Sequence, residues 1–274
     1  MTASLAREAV QQYEAEGYLS PLQVLAPDEL ERFRSEVEAL YRALAASGST
    51  RLPSQTHLHF PWAYDLVAHP RILDAIEAVI GPNILVHATT IFGKQPGDGK
   101  FVSWHQDGYY MRLSHPAFVS AWVALTDSAI DNGCLRVIPG SHRAGRIAHG
   151  ETARSTDNML ASGMEVTNAV DERDAVDVEL APGEASLHHV DLVHGSRANT
   201  SGRPRIGVAI RYVAPDVRQP NWHHRVLLVR GRDDHHHFEL GEPPVDASME
   251  QSIAAMHRLA DEVIERRRAD GRPV

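Results

Sequence analysis

The spacing of apolar residues divides the chain into three stretches. From Pro27, the residues Leu30, Phe33, Val37, Leu40 and Leu44 recur every three or four positions, which lays them on one stripe of a helix. Pro27 suits the first helical position, and Asp28 and Glu29 suit the positive end of the helix dipole. A second stripe runs from Pro70 through Ile72, Leu73, Ile76, Val79 and Ile80, and Gly81-Pro82 ends it. Beyond Pro82 the period shortens. Runs of β-branched and aromatic residues predict strands over Ile84–Lys94, Phe101–Asp107, Phe118–Thr126, Cys134–Ile138, Ala175–Leu180, Ala185–Val190 and Ile206–Val213. Turn sequences separate them, Asp131-Asn132-Gly133 being the strongest hairpin signal. Helical spacing returns over about 247–268, with Ser248 and Gln251 as a capping box and Ile253, Met256, Ala260, Val263 and Ile264 on one face.

This order predicts a mainly β fold with flanking helices, a sandwich or jelly roll. We expect one domain: a helical part over about 1–82, a β core over about 83–215, and a C-terminal extension and helix over about 216–274. Residues 143–173 are polar and weakly periodic. A connection of that length is usually functional, and Gly150 and Gly163 suit a hinged lid over a site.

Composition narrows the function classes. A chain of 274 residues is long enough to bury a core without staples. The net charge of −9 argues against nucleic acid or an anionic membrane as the main partner. The single cysteine, Cys134, excludes an internal disulfide framework and suits a reducing cytoplasm. No apolar run reaches the ~18 residues that span a bilayer, and Met1–Glu8 lacks the apolar core of a signal peptide. A cytoplasmic protein acting on a small molecule is the expectation; oligomeric state is left open. The 17 histidines are the unusual feature.

His105 and Asp107 stand two apart in Trp104-His-Gln-Asp107, and on a strand i and i+2 share a face. Chance alone can supply such a pair, and His189-Val190-Asp191 is a second. Context separates them. The first is followed by His194 in His194-Gly-Ser196, and eleven positions later by Arg205 at the mouth of a strand. Two histidines and a carboxylate on one face of a metal leave open positions opposite, an arrangement suited to non-haem Fe(II). A dianionic co-substrate then needs a cation at its far end, and the planar fork of Arg205 grips a carboxylate through two bonds. Ser196 offers a further bond. Taken alone, Arg205 reads more readily as a surface ion-pair residue; the triad spacing reverses that preference.

Three ordered motifs carry a family resemblance: Trp104-His-Gln-Asp, Asn132-Gly-Cys-Leu-Arg-Val-Ile-Pro-Gly-Ser-His142, and His194-Gly-Ser-Arg-Ala-Asn-Thr-Ser-Gly-Arg-Pro-Arg205. Over roughly residues 11–215 the chain resembles the phytanoyl-CoA dioxygenase family of Fe(II)/2-oxoglutarate-dependent oxygenases. The resemblance implies a double-stranded β-helix, a cupin-like jelly roll, with O2 and 2-oxoglutarate as co-substrates. It implies that His105, Asp107 and His194 bind iron, that Arg205 and Ser196 bind 2-oxoglutarate, and that Trp122 lies beside it. Lys94 matches a frequent family lysine near the active site. The implied reaction is hydroxylation of a small polar or natural-product-type metabolite, with release of succinate and CO2. In related carrier-protein halogenases a small residue replaces the metal carboxylate; Asp107 stands at that place here. The rival reading is a cupin-like metal protein or isomerase without oxygenase activity, which would need the triad but not Arg205.

Candidate substrate residues are His57, His59 and Phe60 ahead of the β core, and Tyr109, Tyr110 and Arg112 just after the metal motif. The alternative is that they pack at the rim. His188 is expected to pack within the core, with His189 on the opposite strand face. Asp233–His237 reads as a solvated loop, Cys134 as a small buried apolar residue, and Ser186 lacks the partners of a hydrolase triad.

Overall fold

The computed structural model describes residues 7–151, 155, 157–160, 164–167, 170–220 and 225–269. Its helices are α1 (Arg7–Glu16), α2 (Pro27–Ala46), α3 (Pro61–Val67), α4 (Pro70–Ile80), α5 (Asp107–Met111) and α6 (Met249–Ala269). Its strands are β1 (Tyr18–Gln23), β2 (Ile84–Lys94), β3 (Val102–His105), β4 (Phe118–Ala124), β5 (Leu135–Val137), β6 (His149–Glu151), β7 (Met164–Val166), β8 (Val176–Val178), β9 (Glu184–His189), β10 (His194–Ser196), β11 (Arg205–Val213) and β12 (Leu227–Arg230).

The predicted stripes become buried faces. Phe33, Val37, Leu40 and Leu44 of α2 are buried. Glu29 caps the helix by accepting the Ala26 N–H at 2.7 Å. Ile72, Leu73 and Ile76 of α4 are buried, and the helix stops at Gly81 with φ 90°. At α6 the expected box forms: Ser248 N–H donates to Gln251 Oε1 at 3.0 Å, and Gln251 N–H donates to Ser248 Oγ at 3.2 Å.

A major sheet has the order β1-β9-β4-β11-β2-β12, and a minor sheet the order β3-β10-β5-β8. The pairings within each are antiparallel. One face of the major sheet carries Val119, Ala121, Val123, Val208, Ile210 and Tyr212 against the helices. Its other face meets the minor sheet: Trp122, Ala124 and Ala209 pack with Leu135, Val137 and Val178. Strand alternation thus gives each long strand one helix-facing side and one side facing the space between the sheets. The fold is the jelly roll expected.

The strand expected over Phe101–Asp107 ends at His105, and Asp107 instead opens α5. Asp107 therefore reaches the site from a helix N-terminus, not by strand alternation. The connection 143–173 is not bare loop. It contains the β6–β7 hairpin, and Asn158 bridges to Phe101. Gly150 lies within β6 opposite Glu165, a paired strand position. Gly163 lies outside the described residues.

Tyr212 ties the sheet to the helices. It is fully buried, and its hydroxyl donates to the Val67 carbonyl at 2.9 Å. Tyr212→Phe is expected to keep the fold and lower unfolding free energy by about 1–3 kcal/mol, the cost of a buried acceptor losing its donor, measured as a fall in urea midpoint at constant m-value.

Candidate metal and co-substrate site

Pairing of the short strands β3 and β10 sets His194 directly opposite His105, with ring centroids 4.1 Å apart. Each imidazole bonds the carbonyl two residues before it: His105 Nδ1 to Ser103 O and His194 Nδ1 to Leu192 O, both at 2.9 Å. A carbonyl only accepts, so each Nδ1 carries the proton and each Nε2 keeps its lone pair. Asp107 completes the group. The candidate ligand atoms of His105, Asp107 and His194 all lie within 4.8 Å of one another, and all three residues are buried.

The carboxylate is held from the facing sheet. Ser120 Oγ donates to Asp107 Oδ2 at 2.7 Å. Arg211 approaches both oxygens, Nε to Oδ2 and Nη2 to Oδ1, each at 3.4 Å. Burial, the largest single influence, would raise the Asp107 pKa, but the Arg211 guanidinium together with the surrounding histidines outweighs it and holds the carboxyl well below the usual range. Burial pushes His105 down to about 3 and lowers His194. The group therefore stands as two neutral imidazoles and one carboxylate, the protonation a divalent ion requires of its ligands.

A second polar group lines the same cavity. Arg205 opens β11 opposite Lys94 of β2. The Arg205 guanidinium carbon lies 4.0 Å from the Trp122 ring centre, and its Nε has no hydrogen-bond partner among the described residues. Lys94 Nζ donates to Ser196 Oγ at 2.6 Å, to Gly133 O at 3.3 Å and to Arg197 O. Both cations are buried, Arg205 at 2% and Lys94 at 0% exposure. Among the described residues no carboxylate lies within ion-pair distance of either. Burial, then the neighbouring Arg205, pushes Lys94 down to about 6, and burial pushes Arg205 down to about 10. Two buried basic groups without an anion are costly to charge unless a ligand supplies it. Gly207 makes room for the ring beneath Arg205: a Cβ there would fall 2.0 Å from Trp122 Cζ2.

The cavity of about 40 Å³ is lined by the triad, Ser196, Arg205 and Trp122, with Phe92, Val102, Leu135, Leu160 and Ala209 as apolar walls. Other expected residues fall elsewhere. His57 bonds Thr89 Oγ1 at 3.0 Å, whereas Thr90, the next residue, meets Arg211; alternation puts His57 on the helix side of β2. Phe60 is in the hydrophobic core, its ring centre 5.9 Å from that of Trp62. His59 lines a surface groove with Arg225 and Glu239. These three are not brought to the triad. Tyr110 lies closer, its ring centroid 6.2 Å from that of His105. Tyr109 stacks on His149 at 4.1 Å, and Arg112 is exposed at the end of α5.

Sequence reasoning missed Arg211, Ser120 and His188. The signals were present: Arg211 is six positions beyond Arg205 and Ser120 two before Trp122, even spacings that share a strand face. His188, expected to pack in the core, lines the cavity, while His189 turns to Tyr13 and His142. Asp191 joins no metal-competent group among the described residues. Nor do His235–His237; His223 and His224 lie outside those residues.

Residues 13–207 match the family model described as phytanoyl-CoA dioxygenase (PhyH). This chain belongs to the phytanoyl-CoA dioxygenase family. It is 31% identical over 151 residues to a phytanoyl-CoA dioxygenase of Arabidopsis thaliana, covering 53% of this chain and 50% of that protein. The chain thus spans about half the length of that curated relative. Among solved structures it resembles the non-heme monooxygenase ThoJ in its apo form, at 30% identity and TM-score 0.79, covering 94% of this chain and 99% of that one. CytC3 with Fe(II) and alpha-ketoglutarate shares the fold, at 22% identity and TM-score 0.64 over 88% of this chain and 94% of that one.

Loss of a group that holds a metal ligand typically weakens binding about 10- to 100-fold. Ser120→Ala should weaken Co(II) binding by that factor, read by titrating the visible Co(II) bands, and leave the thermal midpoint nearly unchanged.

Proposed function

We propose that this chain is an Fe(II)/2-oxoglutarate-dependent dioxygenase that hydroxylates a small polar or natural-product-type metabolite. The observation that carries the reading is buried Arg205, without an ion-pair partner among the described residues, in one cavity with a neutral-neutral-anionic metal triad, with Lys94 directly behind the lining Ser196. A metal protein without a dianionic co-substrate has no use for those basic groups, which disfavours the non-oxygenase alternative. Asp107, fixed by Ser120 and Arg211, fills the place a halogenase leaves for halide. Family membership and the likeness to ThoJ support the same chemistry.

The residues fit the metal. His105 and His194 present Nε2, Asp107 presents a carboxylate oxygen, and bound iron supplies oxygen activation. Lys94, Ser196 and Arg205 hold the far carboxylate of 2-oxoglutarate, with Trp122 fixing the plane of the Arg205 fork. Phe92, Leu135 and Leu160 keep water from the reacting groups. The overall conversion takes a substrate C–H, O2 and 2-oxoglutarate to an alcohol, succinate and CO2.

Two variants test separate halves of this reading. His194→Ala should abolish both metal binding and succinate formation, whereas His189→Ala should leave both intact. Arg205→Leu should retain the metal and raise the 2-oxoglutarate requirement by two to three decades, matching the roughly 3–5 kcal/mol lost when a buried charge loses its partner. An unchanged 2-oxoglutarate dependence in Arg205→Leu would return the chain to the metal-protein alternative.

Lys94 adds a pH dependence. Its pKa in the free protein is pushed down to about 6, and an arriving carboxylate raises it. Between those two values binding takes up a proton, so 2-oxoglutarate affinity should fall as pH rises above 6. Calorimetry of the metal-loaded, oxygen-free protein in buffers of different ionisation enthalpy reads that proton directly. Lys94→Met should abolish the uptake.

A further inference from the structure

One polar side chain lining the cavity has no place in the site described above. His188 of β9 is 3% exposed and faces the same space as the triad. Its ring centroid lies 4.6 Å from that of His194, yet it is not part of the group whose ligand atoms converge. Its Nδ1 is buried without a hydrogen-bond partner among the described residues. The other polar groups are committed. His105 and His194 bond carbonyls through Nδ1 and point Nε2 at the metal position. Ser120 and Arg211 hold Asp107, and Ser196 accepts from Lys94.

Register gives His188 its location. It pairs with Ser120 of β4, which pairs with Arg211 of β11. His188 therefore shares the row of residues that steady Asp107, six positions along β11 from Arg205. That is the metal end of the cavity and not the end where the cations wait for the co-substrate. We propose that His188 is the substrate-holding residue, and that the substrate is a neutral molecule carrying a hydroxyl, carbonyl or amide group on an otherwise apolar body. The proposal rests on the dioxygenase reading and names its substrate class.

The chemistry follows from what faces the ring. Arg211, Asp107, His194 and His105 surround it, with Ser120 and Tyr18 opposite on the neighbouring strands. The unpaired Nδ1 of an imidazole offers a hydrogen bond and no fixed charge. That matches a hydroxyl, a carbonyl or an amide, whereas a carboxylate would stand in the row that surrounds the negative Asp107 and would need a free cation beside it. Arg211 does not supply the missing charge, because its guanidinium is engaged by Asp107 and Thr90. The rest of the substrate would meet Phe92, Trp122 and Leu160, which are apolar. Buried unsatisfied groups are few in native proteins, and one aimed into a cavity beside a metal position is explained by a ligand.

The test is a panel screen of the Fe(II)-loaded protein with 2-oxoglutarate in air. The panel holds three sets of matched carbon skeletons: neutral alcohols, ketones, amides and lactams; carboxylates; and plain hydrocarbons. Succinate above the substrate-free rate and oxygenated product by mass spectrometry are the readouts. Members of the neutral polar set should stimulate succinate formation. In His188→Phe, which keeps an aromatic ring against His194, their KM should rise about 10- to 100-fold, the factor lost with one buried hydrogen bond. His188→Asn, which keeps a donor and an acceptor, should recover part of that loss. Co(II) affinity should stay within about twofold of wild type. Stimulation by carboxylates or hydrocarbons alone, or by no member, overturns the proposal, as does unaltered stimulation in His188→Phe. Parallel loss of Co(II) affinity in His188→Phe also overturns it, since His188 would then be supporting the metal ligands. Failure of the underlying reading looks different: wild type would form no iron-dependent succinate from 2-oxoglutarate at all.

Discussion

The contact of Asp107 with Ser120 and Arg211 joins the two halves of the molecule. His105 and His194 belong to the minor sheet, whose strands here are only three or four residues long. Strands so short cannot hold a side chain firmly by backbone pairing alone. Asp107, two residues beyond His105 in the chain, reaches across the space between the sheets to the rows of β4 and β11. The long central strands of the major sheet thereby fix the position of a group rooted beside the weaker sheet. A buried carboxylate is tolerable only when paired, so Arg211 both permits Asp107 to be buried and keeps it ionised.

The cavity is electrostatically two-ended. At one end an anion is surrounded by donors; at the other, Arg205 is a buried cation and Lys94 a buried amine that burial pushes down to about 6, both with neutral partners. The aromatic face of Trp122 partly replaces the missing anion for Arg205, and three oxygen acceptors surround the Lys94 amine. Burying basic groups without an anion costs stability, a cost that natural proteins carry at binding sites. A dianionic ligand held between the triad and these basic groups would satisfy both ends at once, and the register of β2 and β11 sets how far apart the two ends lie.

Much of this was legible in the sequence, and the limits have physical causes. Strands β2, β4 and β11 are long and apolar on both faces, so their runs stand out, as do the stripes of α2 and α4. β1 escaped because Pro21 interrupts an edge strand, and β10 because three residues cannot show a period. The triad and Arg205 were legible because their order along the chain is distinctive. Arg211, Ser120 and His188 were not, because their role depends on which strands lie side by side, and pairing register is not written in any local pattern. The same blindness to faces explains His57 and Phe60: sequence shows that they precede the β core but not that β2 turns its Thr89 side toward the helices.

The described parts of the connection 143–173 contain a hairpin and are docked against the site. Its start is fastened by Gln106, the residue between two of the triad members. The Gln106 Oε1 accepts the Ile147 N–H at 2.9 Å, and its Nε2 donates to Gly145 O at 2.9 Å and to Asp191 O at 2.6 Å. Its backbone N–H donates to His149 Nε2 at 3.0 Å, which leaves His149 Nδ1 to donate to Ile147 O at 3.1 Å. Further on, Asn158 bonds Ser103 Oγ at 2.9 Å, and Leu160 forms part of the cavity wall. Gln106 uses its whole side-chain amide in these contacts, so lifting residues 145–149 away would strand buried polar groups beside His105 and Asp107. Polarity that reads as loop in the sequence is here the polarity of docking. The described parts of the connection form a wall of the site, fastened to the same backbone that presents His105 and Asp107.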